Sequence, residues 1–341
     1  MSARKAMIAM VIMLMGVILL ASIGTSAKVA NIGLVTSDSG LGDRSFNDMG
    51  FEGVKMGAKD LGVTYKVVEP RDQAEFEEQI RALARDGSFD LIIGLGSRMA
   101  DPMSRVATDY PKQKFLIIDT TVAKPNVVSV IFKEHEGSFL AGVLAGLMTT
   151  RTQVRGINPQ KVVGFVGGKN MPVIRRFMGG YIQGVQYVEP LAEVLVGFTG
   201  THTDPAKGKE YALAQIAQGA DIVFQVATKT GEGVIAAAKE MNKWAIGVDA
   251  DQDHIAPGFV LTSMMKRVDK AVFDVIKLVV EDKFVGGKNM VYGIKEGGVG
   301  LSPMKYTKDL IPADVLKFLQ DVEKKVTAGE IYVEDYSGVF R

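Results

Sequence analysis

Short apolar segments rich in valine and isoleucine alternate with segments of helical periodicity along most of the chain. In the first third, the predicted strands are residues 29–35, 65–68, 91–94 and 114–119, and the predicted helices are residues 50–61, 76–86 and 99–110. Strands that are apolar on both faces and are joined through helices are typical of a parallel sheet covered by helices. The pattern therefore predicts one α/β lobe in this part of the chain.

The same alternation starts again after residue 160. Here the predicted strands are residues 161–166, 193–198, 221–225 and 244–249, and the predicted helices are residues 174–188, 207–217 and 231–241. An apolar helix over residues 134–150 opens this second lobe. After Asp249, a strand at 260–265 and a helix at 268–280 are predicted to return to the first lobe, and a last helix is predicted near 313–327.

We thus expect an α/β fold of two doubly wound parallel-sheet lobes joined by a multi-strand hinge. The predicted boundaries assign residues 28–132 and 251–285 to lobe I, and residues 133–250 and 286–341 to lobe II. Because the chain passes between the lobes several times, the two can rotate against each other but cannot separate like independent domains.

The first 27 residues have the pattern of an export signal. Arg4 and Lys5 precede an apolar run over residues 6–20, and small residues end at Ala27, which predicts a signal peptide over residues 1–27 that is cleaved. The alternative is a retained membrane anchor, because residues 6–23 are about long enough to cross a bilayer. The sequence has no cysteine to carry a disulfide or a lipid. We therefore predict a secreted periplasmic or extracytoplasmic protein that is not a lipoprotein.

Charge and the scarcity of reactive groupings exclude several classes of function. The 40 basic residues nearly balance the 39 acidic ones without long runs of one sign, so no nucleic-acid partner is expected. The three histidines, His135, His202 and His254, lack the spacing of a metal site or a catalytic triad. No dinucleotide fingerprint follows the first strand. We expect no cofactor, no metal, no catalytic residue and no enzyme activity.

Polar and aromatic residues gather in the loops that follow the predicted strands, where ligands of open α/β sheets bind. The candidates at these places are Asp43, Phe46, Asp119, Phe177, His202, Thr230, Gly231, Asp249 and Lys266. Each also has an ordinary structural interpretation: the acids as helix caps or turn residues, the rings as core, the lysine as solvated. Aromatic side chains stack on flat rings and carboxylates accept hydrogen bonds from hydroxyl groups, so the set suits a ligand with a flat ring and hydroxyls.

Several segments together resemble the basic membrane protein family of solute receptors, which includes a purine nucleoside receptor of spirochaetes. They are DRSFN (43–47), YP (110–111), FLIID (115–119), EGSFLAG (136–142), VGFVGG (163–168), PVIRRF (172–177), DPAKGKE (204–210), TGEG (230–233), GVD (247–249) and SMMK (263–266). These segments occur in order over nearly the whole chain after the signal. The resemblance implies a type I periplasmic-binding fold and delivery of the ligand to an ATP-driven (ABC) permease.

The resemblance also implies roles for individual residues. Phe46 and Phe177 are expected to sandwich a base, and Asn47 and Asp119 to hydrogen-bond its edge. Asp249 and Lys266 are expected to bind ribose hydroxyls, with Thr230 and Gly231 nearby. Two departures stand out: the chain has no cysteine to lipidate, and His202 occupies the loop where the resemblance implies an aromatic residue, so that a ring is kept.

The sequence therefore predicts a monomeric receptor that closes on a purine nucleoside and presents it to a permease. A receptor for a monosaccharide or another small polar solute, and a sensory co-receptor, stay open as alternatives. A nucleoside-cleaving enzyme is the remaining rival, and it would need a positioned acid or metal and an attacking water.

Overall fold

The computed structural model describes residues 29–337, so the predicted signal peptide lies outside the described residues. The strands are β1 (Asn31–Val35), β2 (Thr64–Val68), β3 (Leu91–Leu95), β4 (Phe115–Ile118), β5 (Val127–Phe132), β6 (Val162–Gly167), β7 (Glu193–Phe198), β8 (Ala220–Val226), β9 (Trp244–Asp249), β10 (Val260–Lys266), β11 (Asn289–Tyr292) and β12 (Val299–Leu301). The α-helices are α1 (Phe46–Leu61), α2 (Phe76–Asp86), α3 (Ala100–Asp109), α4 (Glu134–Met148), α5 (Pro172–Val188), α6 (Pro205–Ala217), α7 (Gly231–Glu240), α8 (Val268–Val280) and α9 (Ala313–Ala328).

Within the described residues the strands form two six-stranded sheets. The order in the first is β11-β5-β4-β3-β1-β2, and all neighbours run parallel. The order in the second is β12-β10-β9-β8-β6-β7, parallel except that β12 runs antiparallel to β10. The predicted α/β class with two parallel-sheet lobes is confirmed.

The burial of the central strands explains why their sequences are continuously apolar. Every residue of β3 and β4 is buried, whereas the edge strands β2 and β7 are largely exposed or half-buried. Helices cover both faces of a parallel sheet, so its central strands have no solvent face. Within residues 29–337, no helix combines the length and apolarity needed to cross a membrane.

Two strands lie in a different sheet from the one predicted. β10 pairs with β9 in the second sheet, although residues 251–285 were assigned to lobe I, and only α8 crosses back to pack on α1. β11 pairs with β5 in the first sheet, although residues 286–341 were assigned to lobe II. A strand that is buried on both faces is apolar throughout, so its sequence does not show which of the two sheets it joins. The remaining lobe boundaries stay predictions.

Three chain segments thus connect the lobes: β5 to α4, β10 to α8, and β11 to β12. In the second lobe, α4 and α5 approach each other so closely that glycine is required at the contact. A Cβ on Gly142 would lie 2.1 Å from the Tyr181 carbonyl oxygen, and one on Gly184 would lie 2.0 Å from that of Phe139. Gly180 makes the same kind of contact, where a Cβ would lie 2.2 Å from the His135 carbonyl oxygen, and so positions α5, which carries Phe177, against the first turn of α4.

Candidate ligand-binding cleft

A cavity lies between the two lobes at the carboxyl ends of the strands, with an empty volume of about 670 Å³ including its open side. Residues following β1, β3 and β4 line it from the first lobe, and residues following β6 to β10 line it from the second. This is the place that the fold provides for a ligand, because loops at the carboxyl ends of parallel strands converge there. The middle of the cavity is apolar and aromatic, and charged groups lie at two ends.

The first charged end lies beside the hinge, and we call it the hinge end; it comprises Asp119, Glu134, Asp249 and Lys266. Lys266 is the last residue of β10 and is buried. Its Nζ lies 2.6 Å from Asp119 Oδ1 and 2.9 Å from Glu134 Oε1. Burial would lower the pKa of Lys266, but the carboxylates of Asp119, Glu134 and Asp249 together raise it. Lys266 is therefore charged.

Aromatic rings surround the same ammonium group. Lys266 Nζ lies 5.2 Å from the ring centroids of Phe46 and Phe132 and 5.5 Å from that of Phe177. Phe46 starts α1 in the first lobe, and Phe177 lies on α5 in the second. A cation within about 6 Å of a ring is attracted by its π electrons. The Lys266 ammonium group thus contacts aromatic rings of both lobes and also pairs with the carboxylates of Asp119 and Glu134.

Glu134 extends the hinge end into the second lobe. It is the first residue of α4, and its Oε2 accepts a hydrogen bond of 2.7 Å from Arg176 Nε. Burial would raise the pKa of Glu134, but Lys266 and Arg176 outweigh burial and hold this pKa below its usual value. Burial raises the pKa of Asp119, with Lys266 opposing it. The chain Asp119–Lys266–Glu134–Arg176 therefore alternates in sign and runs from one lobe to the other.

Asp119 directly follows β4 and Asp249 is the last residue of β9, and both have a left-handed backbone, at φ 74° and φ 64°. Residues other than glycine, asparagine and aspartate rarely adopt this conformation, and such residues cluster at functional sites. Asp249 Oδ2 accepts a 2.5 Å hydrogen bond from Ser45 Oγ of the first lobe. Burial raises the pKa of Asp249 to about 7, against the opposing pull of Lys266.

The second charged end is more exposed, and we call it the outer end; it comprises Asp38, Arg98, Lys169 and His202. Asp38 pairs with Arg98 of its own lobe, and its Oδ2 lies 3.3 Å from Lys169 Nζ of the other lobe. His202 Nε2 accepts a 3.3 Å hydrogen bond from the Lys169 backbone N–H. Burial, aided by the charges of Lys169 and Arg98, lowers the pKa of His202 to about 4. The ring is therefore neutral near pH 7.

A family comparison agrees with this geometry. Residues 30–337 match the model of the family Bmp, described as ABC transporter substrate-binding protein PnrA-like. The chain belongs to this family. It is therefore a substrate-binding protein of an ABC transporter, a class that works with a small-molecule ligand and a membrane permease, and the predicted family is confirmed.

Individual relatives span nearly the whole chain. A CD4+ T-cell-stimulating antigen of Listeria monocytogenes is 35% identical, with 91% of this chain and 89% of the relative covered. The ABC transporter nucleoside-binding protein BmpA of Lactococcus lactis is 31% identical over 89% of this chain and 91% of its own. A solved ABC transporter solute-binding protein from Aeropyrum pernix superposes with a TM-score of 0.83 at 31% identity, over 89% of this chain and 92% of that one. The periplasmic-binding fold is thus confirmed.

The same family corrects the predicted localisation. Relatives from three Pyrococcus species, 31 to 33% identical over 88 to 90% of this chain, are named as lipoproteins. The prediction of a secreted protein that leaves its signal behind and has no lipid anchor is therefore wrong. It rested on the apolar N-terminal pattern and the absence of cysteine, and a leader pattern alone does not distinguish a removed segment from an anchoring one.

Six of the ten predicted site residues line the cavity. They are Phe46, Asp119, Phe177, His202, Asp249 and Lys266. They come from six separate segments of the chain, and the strand ends bring them together. Their contact with a ligand stays a prediction. Among the described residues, no group of three or more histidine, aspartate or glutamate side chains has the spacing to hold a metal ion.

Asp43 and Asn47 lie outside the lining because the loop before α1 uses their polar atoms. The Asp43 carboxylate accepts hydrogen bonds from the backbone N–H groups of Ser45 and Asn47, both 2.9 Å. Asn47 Oδ1 accepts from the Ser37 N–H at 2.9 Å, and its Nδ2 donates to Ser39 Oγ at 2.8 Å. Both residues therefore shape the loop that presents Phe46, and the structure gives them no place in the cavity wall.

Thr230 and Gly231 also lie behind the wall. Thr230 Oγ1 accepts a 2.9 Å hydrogen bond from the Asp204 N–H and so holds the loop that carries His202. Gly231 begins α7 so close to Gln225 that an added Cβ would lie 1.7 Å from Gln225 Oε1. These two positions support the site from outside it.

Sequence reasoning missed Glu134 and three of the four residues of the outer end, Asp38, Arg98 and Lys169. A glutamate at the first position of a helix is usually explained by the helix dipole, and that explanation gives no sign of burial. Asp38, Arg98 and Lys169 each follow a predicted strand, so the strand-end rule could have found them. Their pairing across the two lobes was not visible, because it depends on how the lobes face each other.

Proposed function

We propose that the protein binds a purine nucleoside in this cleft, closes its lobes around it and presents it to the permease of an ABC importer. The observation that carries the proposal is the position of Lys266, whose ammonium group lies among Phe46, Phe177 and the carboxylates of Asp119 and Asp249. This arrangement supports the proposal because aromatic surface and hydrogen-bonding carboxyl groups lie side by side in the cavity.

The middle of the cleft suits a flat and uncharged ring. Phe46 and Phe177 contribute aromatic surface, and Leu95, Val226 and Val248 complete the apolar wall. A planar heteroaromatic ring buries its faces against such surfaces and gains stacking contacts that a sugar ring cannot make. A base therefore fits the middle better than a monosaccharide does.

The hinge end suits the hydroxyl groups of a ribose. Ser45 supplies one hydrogen bond to the Asp249 carboxylate, which can accept further ones. Vicinal hydroxyls can donate to Asp119 and Asp249 while their oxygens accept from Lys266. Because the two cations here, Lys266 and Arg176, face three carboxyl groups, this end has no excess positive charge, and a neutral polyhydroxyl group is favoured over an anion. The relative BmpA from Lactococcus lactis is a nucleoside-binding protein by name, which supports the same ligand class.

Closure is supported by hydrogen bonds that join the two lobes. The Ser45–Asp249 hydrogen bond joins the lobes, and Gln252 Nε2 donates a 2.9 Å hydrogen bond to the Arg44 carbonyl oxygen across the same boundary. The three connecting segments allow such rotation without separation of the lobes. A ligand that touches both lobes favours the closed form by its differential affinity, and the permease can then recognise that form.

The proposed role is binding without chemical conversion. Hydrolysis of a nucleoside requires an acid and an activated water in addition to a binding cleft. The charged groups at the hinge end are paired with one another, and binding and release of the ligand need only the opening and closing of the lobes.

A thermal-shift screen tests the ligand class. Adenosine, inosine and guanosine are expected to raise the melting temperature, whereas ribose and free bases produce smaller shifts, because only the nucleosides engage both the rings and the hinge end. A ligand at about 100 times its Kd adds roughly 2.7 kcal/mol to the stability of the folded state. Asp249→Ala should remove the shift, and the matched control Asp251→Ala, outside the cavity lining, should keep it.

Two results would refute the proposal. A larger shift with a monosaccharide than with every nucleoside would assign the cleft to sugars. Release of free base from inosine during incubation, detected by chromatography and lost in Asp249→Ala, would make the protein an enzyme.

A further inference from the structure

Gln252 is a buried side chain of the second lobe that contacts the first lobe without lining the cavity. It lies in the connection from β9 to β10, and its Nε2 donates a 2.9 Å hydrogen bond to the Arg44 carbonyl oxygen. Arg44 is two residues before Phe46, whose ring lines the cavity from the first lobe. The amide of Gln252 therefore holds the chain segment that presents Phe46.

Hydrogen bonds within the second lobe fix the orientation of this amide. Gln252 Oε1 accepts from Gln225 Nε2 at 2.7 Å and from the Val248 N–H at 3.0 Å. An amide oxygen identified by two donors assigns the other terminal atom, which faces Arg44, as the nitrogen. Glycine at position 247 leaves room for the side chain, because a Cβ there would lie 2.7 Å from Gln252 Oε1. The donor is thus aimed at the first lobe by contacts that belong to the second lobe alone.

This hydrogen bond differs from two neighbouring contacts across the same boundary. Asp249, which binds Ser45 Oγ, lines the cavity, so a ligand hydroxyl can compete for its carboxyl group. The Arg44 guanidinium lies 3.8 Å from Glu232, and these side chains are 54% and 26% exposed, so water and salt weaken their pairing. The Gln252 amide is neutral, buried and outside the cavity. Neither the ligand nor salt competes with its hydrogen bond.

We propose that Gln252 is a positioning residue that stabilises the closed form by binding the Arg44 carbonyl oxygen, and so raises the affinity of the cleft for every ligand on which the lobes close. This inference rests on the proposed function, because it requires lobes that close around a ligand. When the lobes open, water replaces the carbonyl oxygen as the partner of Gln252 Nε2, so closing gains the net strength of one neutral hydrogen bond. That gain favours the closed form and leaves the contacts of the ligand itself unchanged.

The test compares two buried glutamines of the second lobe. Gln252→Met removes the amide with little change in volume. Gln215→Met is the matched control, because Gln215 Nε2 donates to the Phe165 and Leu195 carbonyl oxygens of its own lobe. Both variants should be less stable in urea denaturation. Gln252→Met alone should bind adenosine, inosine and guanosine each ~10-fold more weakly, the size of one net hydrogen bond, through faster dissociation and with the preference among them unchanged.

A distance measurement reports the closed form directly. The chain has no cysteine, so Asp101→Cys and Lys229→Cys together accept one spin label on each lobe. Both positions are exposed and lie outside the cavity lining. Inosine should change the distance between the labels in wild type and in Gln215→Met. In Gln252→Met at the same inosine concentration, part of the population should keep the ligand-free distance.

Equal affinities of Gln252→Met and Gln215→Met overturn the role of Gln252 and leave nucleoside binding intact. A loss confined to one nucleoside overturns it as well, because a contact between the lobes acts on all of them. Binding of ribose in place of the nucleosides overturns the proposed ligand class, and the two variants are then compared with ribose. Binding of none of these compounds overturns both proposals.

A measurement on the wild-type protein decides the matter if Gln252→Met fails to fold. Exchange of side-chain amide protons with water is followed by nuclear magnetic resonance with and without inosine. The Gln252 amide protons should exchange more slowly when the ligand closes the lobes, and those of Gln215 should exchange equally in both states. Equal exchange of the Gln252 protons in both states overturns the proposal.

Discussion

The two charged ends of the cleft use the same residue types in different surroundings. At the hinge end the side chains of Lys266 and Glu134 are 1% and 0% exposed, whereas at the outer end those of Asp38 and Lys169 are 17% and 34% exposed. Water can solvate a charge at the outer end when its partner moves away. At the hinge end only other protein groups can do so.

Because of this difference in exposure, we expect the hinge end to contribute to the stability of the fold and the outer end to contribute mainly to ligand recognition. A buried charge that loses its partner is left uncompensated, so the hinge end must stay paired for the protein to stay folded. A partly exposed ion pair contributes little to the free energy of unfolding, because solvent and salt compete with it. Changes at the hinge end should therefore alter folding and binding together, and changes at the outer end should alter closure and ligand choice alone.

The largest effect is expected from Glu134→Ala. It removes a carboxylate that pairs with both Lys266 and Arg176, and it leaves the Arg176 guanidinium buried without its 2.7 Å partner. Breaking a buried pair from one side costs about 3–5 kcal/mol. Urea denaturation followed by circular dichroism should show this loss in the free energy of unfolding.

Glu189→Ala is the matched control for Glu134→Ala. Glu189 pairs with Lys161 at 3.0 Å near the surface, and its loss should cost about 1 kcal/mol or less. If the two variants lose equal stability, the hinge end is no more sensitive than the surface and the comparison of the two ends fails.

The hinge end also shows which residues of the site can be predicted from the sequence and which cannot. Asp119 and Asp249 were predicted because the carboxyl ends of parallel strands converge, and this rule needs only the strand order within a lobe. Lys266 ends a strand that was assigned to the other lobe, and it was predicted mainly from the family resemblance. Glu134 was not predicted, because its burial results from the way α5 packs on α4. Asp43 was placed in the site from its position in a strand-end loop and Asn47 from the family resemblance, but the same side chains also cap helices and close turns. Local pattern does not separate the two uses.

The second prediction concerns the pH dependence of stability at Asp249. Burial raises its folded pKa to about 7, above the ordinary value of 3.8. Between these values the unfolded chain loses this proton while the folded protein keeps it, so the contribution of Asp249 to stability falls as pH rises. Asp249→Asn stays neutral throughout. Its stability relative to wild type should increase by on the order of 1.4 kcal/mol per pH unit from about pH 4 to pH 7.

Urea denaturation of both proteins at several pH values in this window measures the difference directly. Burial also raises the pKa of Asp221 to about 7, but Asp221 is present in both proteins and its contribution cancels. Parallel stability curves for wild type and Asp249→Asn would show that Asp249 titrates normally and that the hinge end is more hydrated than its burial indicates.

The smallest effect is expected at the outer end, from Lys169→Met. The methionine keeps most of the apolar stem and removes the ammonium group 3.3 Å from Asp38, which stays paired with Arg98. The lost contact joins the lobes, so the variant should bind its ligand up to ~5-fold more weakly, equivalent to about 1 kcal/mol, without a change in melting temperature. High salt screens such a pair, so the wild-type affinity should approach that of the variant in 0.5 M salt. Lys229→Met, an exposed lysine outside the cavity lining, should bind like wild type. A loss that persists unchanged in high salt would show that Lys169 acts through packing and not through its charge.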